Sequence, residues 1–161
     1  MKISALIFAA LLFLFVSCKS KTPKAIAEAA TPKKERFEKV AFDNILLFKK
    51  NRAYDLGKRL LETCNTSRFK SFTKAEATDK VIKNATVDKI TKTCQKMLHR
   101  NGKFIDLNLI DITHDNETDG FIFRYEIKYE KKYFKRELSV TIDNEDKVSA
   151  ITSKEIPKIT Q

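Results

Sequence analysis

The pattern of apolar and polar positions changes twice along this chain. Ile3 to Val16 is an almost unbroken apolar block. From about Phe37 to Leu98, apolar residues recur at steps of three and four, the spacing of one helix face. From Lys103 onward they alternate with polar residues, the spacing of a half-buried strand.

Within the middle stretch, Thr31-Pro32 reads as an N-cap followed by proline at the first helical position. Phe37, Val40, Ala41 and Phe48 then predict a first helix running through Lys49. Ala53, Leu56, Gly57, Leu60, Leu61 and Cys64 form the clearest stripe, predicting a second helix or a continuation past a kink near Asn51. Thr73 and Glu76 have the spacing of a capping box and predict a short helix to about Lys83. Val87, Ile90, Cys94, Met97 and Leu98 predict a third main helix, ended by Asn101-Gly102 as a left-handed C-cap.

The alternating stretch divides into four strands. Ile105, Leu107 and Leu109 mark one, and Phe121, Phe123, Tyr125, Ile127 and Tyr129 mark the next. Phe134, Leu138, Val140 and Ile142 follow a turn near Glu130–Lys132. A turn at Asp143–Lys147 leads to the last, around Val148–Ile156. Helices first and strands after predict an α+β fold, with N-terminal helices packed on a four-stranded antiparallel meander. The domain boundaries follow: residues 1–17 a signal peptide, 18–30 a basic tether, 31–161 a single α+β domain.

Lys2, the apolar run to Val16 and the small residue Ser17 supply the three parts of a secretion signal. The run is too short for a membrane-spanning helix, which takes about 20 apolar residues. Phe15-Val16-Ser17-Cys18 resembles the lipobox of bacterial lipoproteins, with Phe15 where Leu is usual. The resemblance implies cleavage before Cys18, a diacylglyceryl thioether on its sulfur and often an acyl group, such as palmitate, on its amine. Two or more acyl chains hold a protein firmly where one does not. The other reading is ordinary secretion with Cys18 an incidental thiol. With neither Lys19 nor Ser20 resembling an inner-membrane signal, the expectation is a bacterial cell-envelope protein, anchored at the outer membrane rather than the inner, its domain outside the cytoplasm.

Charge sharpens this picture only slightly. Lys and Arg number 32 against 21 Asp and Glu, a formal net charge of +11 spread over several segments. Such a balance suits anionic partners, lipid headgroups or nucleic acid. No nucleic-acid fold signature accompanies it, so nucleic acid is set aside and a solvated basic surface near a membrane is expected. Only 3 Gly and 3 Pro argue against a disordered or repeat-built chain.

The order of elements from about Phe37 to Ile156, with Gly102 just before the first long strand, resembles the cystatin-like cone of the nuclear transport factor 2 superfamily. It is similar to small bacterial lipoproteins built on that cone. The resemblance implies a pocket between helices and sheet. It does not choose a function, because members include enzymes and ligand binders.

Four constellations bear on chemistry. Cys64 and Cys94 sit on the stripes of two helices, and are read either as a disulfide, favoured in an oxidising compartment, or as two buried thiols. Asp115, Glu117, Asp119, Gly120 and Glu126 come close to a calcium-loop spacing, although both flanks alternate like strands. The other reading is a polar hairpin whose Asp, Asn and Gly residues supply turn geometry. His99 falls in a last helical turn, where a cation complements exposed carbonyls, and His114 stands beside Asp111 and Asp115 near a loop tip. Arg136 shares a strand face with Phe134, Leu138 and Val140, so it either points inward as an anion anchor, with Tyr125 and Tyr129 beside it, or turns to solvent.

No phosphate loop, nucleophile elbow or histidine pair at metal spacing is present, and no cofactor is expected. The expectation is a non-enzymatic interaction or ligand-binding module, its partner an envelope protein or a small molecule. The alternative is an enzyme with its active site in the cone pocket.

Overall fold

The computed structural model describes residues 35–157. The signal, Cys18, the tether and the helix start at Thr31-Pro32 all lie outside the described residues.

The first described element corrects the sequence reading. Phe37–Val40 is a strand, β1, where a helix is expected. Its spacing of apolar residues is too sparse to bury a helix face, whereas its backbone finds partners at the far end of the strand Phe104–Asp115, β2. Side chains secure this pairing. The Arg36 guanidinium donates twice to Asp115, at 3.2 and 3.1 Å, and Asn116 bonds the carbonyls of both Glu35 and Arg36. A single 3-10 turn, Phe42–Asn44, follows.

The long helix α1, Leu47–Thr66, runs without a break at Asn51. Ala53, Leu56, Gly57 and Leu61 are buried as its stripe requires, and Ser67 ends it in the left-handed region at φ 56°. Thr73 and Glu76 make a turn of their own before the short helix α2, Asp79–Asn84. The third helix, α3, is Val87–Asn101, capped by the Thr86 hydroxyl and closed by Gly102 at φ 75°. A side chain there would meet Glu130, whose carboxylate takes the next amide, Lys103.

The strands β3 (Gly120–Tyr129), β4 (Lys135–Ile142) and β5 (Val148–Ile156) complete an antiparallel sheet in the order β1-β2-β3-β4-β5. The meander therefore has five strands, the additional one being β1 at the edge. Two bulges in β2 keep its inward face in step with β3. They push Ile105 out to 59% exposure and give its expected inward place to Phe104. Leu107 and Ile112 then face Ile127 and Phe123 across the pair.

Among the described residues, three α-helices and a five-stranded antiparallel sheet thus form an α+β fold. α1 lies across β2, β4 and β5, α2 touches β5, and α3 rests on α1. Phe123, Ile112, Leu138, Val140, Ile142 and Val148 are fully buried between the layers. The other sheet face carries a ladder of alternating charges, Asp111–Arg124–Glu137–Lys154, as alternation dictates for a face turned to water.

Candidate ligand-binding site

Because α3 stacks on α1, space remains between α3, α2 and the β4–β5 end of the sheet. It is a cavity of about 540 Å³, within the range of small-molecule sites. Leu60, Leu61 and Phe72 form its floor, Val81 and Ala85 one side, Ile90 and Met97 the other, and Ile151 the sheet wall. The helical stripes explain the lining, since each helix turns its apolar face to the same interior. Cys64 and Cys94 stand in this wall and are joined in a disulfide, with their Cα atoms 4.6 Å apart. The bridge fixes α3 against α1, and neither sulfur is left as a nucleophile.

Arg136 closes one end. Alternation along β4 turns it to the helix side, opposite Ile127 on β3 and Glu155 on β5. Its side chain is only 15% exposed. It meets Glu155 at 3.2 Å and the Ser153 hydroxyl at 3.3 Å, and its buried Nε–H has no partner among the described residues. Arg100 reaches the same Glu155 at 3.1 Å while stacking over the Phe134 ring. One carboxylate therefore sits between two guanidiniums.

Arg136, Thr93 and Met97 are shared with a second, shallower hollow of about 650 Å³ on the outer flank of α3. Lys92, Lys96 and Arg100, each four residues apart and so on one helix face, line it together with His99. Lys80 and Lys89 stand at the rim of the inner cavity. Among the described residues, no carboxylate lines either hollow. An apolar cavity thus borders a half-buried arginine, paired with Glu155, and beyond it a groove lined by cations. That arrangement can hold an apolar body and an anionic head, with Glu155 already orienting the Arg136 fork.

Tyr125 and Tyr129, expected beside Arg136, belong to the core beneath and are not in the cavity wall. Tyr125 tilts against the Tyr54 ring, and burial raises its phenol well above the ordinary range. Tyr129 packs edge-on to Phe104, and its buried hydroxyl has no partner among the described residues. Burial pushes it up to about 12, opposed by the charge of nearby Arg136. Both rings brace β3 within the core.

The candidate calcium residues are separated. Asp115 is held by Arg36, whose hydrogen bond draws its carboxyl below the usual range. Glu117 meets the same arginine at 2.7 Å, Asp119 bonds His114 at 2.9 Å, and Glu126 pairs with Lys128 on the open sheet face. The loop is a hairpin turn, with Asp119 at φ 52°. Among the described residues, no group of three or more His, Cys, Asp and Glu side chains is placed to hold a metal ion. His114 stacks on Phe121, and His99 is exposed, its carbonyl accepting from Lys131.

Sequence reading did not find the cation row of α3. Its spacing is legible, but an i, i+4 row of lysines reads the same on any solvated helix face. The chain was compared with protein-family models, curated proteins and solved structures, and none of them matches.

Proposed function

We propose that this chain is a lipid-anchored cell-envelope protein, tethered through Cys18, whose folded domain is a non-enzymatic binding module. Its ligand is a small molecule with an apolar body and an anionic head. The observation that carries the reading is Arg136 at the junction of the apolar cavity and the cation-lined groove. The layered helices and sheet support the likeness to a cystatin-like cone, in which a cavity of this kind would be the cone's pocket. An orphaned, largely buried guanidinium N–H favours an acceptor from outside the protein, since buried donors are nearly always paired.

Calorimetry with three probes of equal chain length tests the module: dodecanoate, dodecanol and dodecyltrimethylammonium. Dodecanoate is expected to bind tightest and the ammonium weakest. Arg136→Gln should weaken dodecanoate about tenfold or more, the loss of one charge-assisted contact, and leave dodecanol nearly unchanged. Ala85→Phe, which fills the cavity, should block both. Equal binding of all three, or none by any, overturns the reading. Turnover of a bound probe would favour the alternative, an enzyme using the same cavity. For the tether, labelling of cells with an alkynyl palmitate should mark the protein and fail in Cys18→Ser.

A further inference from the structure

Phe42, Leu46, Leu47 and Phe48 are 45, 68, 67 and 51% exposed. Four large apolar side chains within seven residues, all turned to water, are not the scattered exposure of an ordinary surface. They occupy the turn into α1, one helical turn before its buried stripe begins at Ala53. Ile45, buried among them, pins the segment to the core, so the four project from a fixed platform.

Cations stand around them. The Lys50 ammonium bonds the Phe42 carbonyl at 2.9 Å, and the Arg52 guanidinium lies 4.5 Å over the Phe48 ring. Of the five cations in residues 36–52, Arg36 is paired with Asp115 and Glu117, Lys49 with Asp146, and Arg52 donates to the carbonyls of Ala75 and Asp146, which leaves Lys39 and Lys50 beside the patch. Apolar side chains interleaved with Lys and Arg are the composition of a surface that sits in the headgroup layer of an anionic bilayer.

We propose that this patch is a membrane-docking face, inserting Phe42, Leu46, Leu47 and Phe48 among acyl chains while Lys39 and Lys50 meet anionic headgroups. A second copy fits poorly, because a two-fold contact would set these cations against their own images. The proposal rests on the tether reading only in that an anchored chain would keep this patch in reach of a bilayer.

The sequence holds no tryptophan, so Leu47→Trp gives the full chain a single reporter in the patch, and Thr91→Trp gives a control on exposed α3. Each chain is incorporated into phosphatidylglycerol vesicles with and without brominated acyl chains. Whatever holds the chain on the vesicle, acyl groups or leader, the reading depends only on the contrast between the two tryptophans. Leu47→Trp should shift to the blue and be quenched at least about twofold more than Thr91→Trp. Adding Leu46→Glu should abolish the difference. Equal emission and quenching at both positions overturns the proposal. A blue shift without vesicles that grows with protein concentration assigns the patch to a second copy, and one seen only in native membranes assigns it to a protein; both overturn it. Loss of palmitate labelling in the cell would sink the tether reading alone.

Discussion

The Asn65 side-chain amide closes on the backbone of a single residue. Its Nδ2 donates to the Phe104 carbonyl at 2.7 Å, and its Oδ1 accepts the Phe104 amide at 2.9 Å. β1 covers β2 only from Ile112 to Asp115, so the other end of that strand has an open edge. The last turn of α1 supplies the missing partner there, and Tyr54 adds a hydroxyl bond to Asp106 at 2.6 Å. Edges left open invite pairing with another chain.

Asn65→Ala leaves both Phe104 backbone groups without that partner and should destabilise by about 1–3 kcal/mol. Urea unfolding would read the loss. Solvent reaching the strand end should also raise hydrogen exchange at Phe104 above that at Ile127, on a central strand. No change in either measurement would mean water substitutes for the amide at no cost.

The disulfide closes a loop with a sequence separation of 30. In the chain-entropy account such a loop is worth roughly 3–4 kcal/mol. Cys94→Ala, or reduction of the native chain, should lower the thermal midpoint clearly. It should also weaken binding of the dodecanoate probe, because α3 carries both a cavity wall and the cation row. A variant that melts early yet binds undiminished would show that α3 is held by packing alone.

Gly57 sits where α1 crosses the sheet. An added Cβ would lie 2.8 Å from a Leu138 methyl, 3.3 Å from Val140 and 3.4 Å from Leu107. Alanine would gain about 1 kcal/mol of helix propensity, while overpacking a filled core costs typically 1–3 kcal/mol. Gly57→Ala should therefore destabilise by about 1 kcal/mol despite the better helix former, measured by denaturant midpoint. A stabilised variant would mean that Leu138 rotates away freely.

Much of this architecture is legible in residue spacing, and the exceptions have identifiable causes. α1, α3 and β3 to β5 follow from single, repeated periods. β1 does not, because what makes Phe37–Val40 a strand is a partner some 75 residues away and the Arg36–Asp115 clasp. Ile105 misleads because a bulge shifts the phase of alternation by one residue. In the candidate site, the inward turn of Arg136 could be read from its strand neighbours. The cation row on α3 could not, since only packing shows which helix faces border a cavity. Cys64 and Cys94 lie between, since residue spacing leaves their pairing open and the packing of α3 on α1 decides it.

Glu76 couples the loop before α2 to two other elements, and its charge state sets the acid limit of that coupling. Its carboxylate takes two bonds from Arg59 on α1, at 2.7 and 3.2 Å, and a third from the Thr73 amide. Its backbone carbonyl accepts the Val148 amide at the start of β5. The Arg59 hydrogen bond is the main reason its carboxyl is held down at about 2, from an ordinary 4.5, against the opposing effect of burial. A depressed folded-state value means stability that is present in full above about 4.5 and lost as pH falls towards 2. Both partners are about a quarter exposed, so solvent screening reduces the contribution to the order of 2 kcal/mol. Unfolding free energy measured by urea from pH 5 to pH 2 should fall across that window, and Glu76→Gln should start lower at pH 5 and fall less steeply. Parallel curves for the two proteins would show that other carboxylates, Asp115 with its Arg36 clasp foremost, carry the acid sensitivity instead.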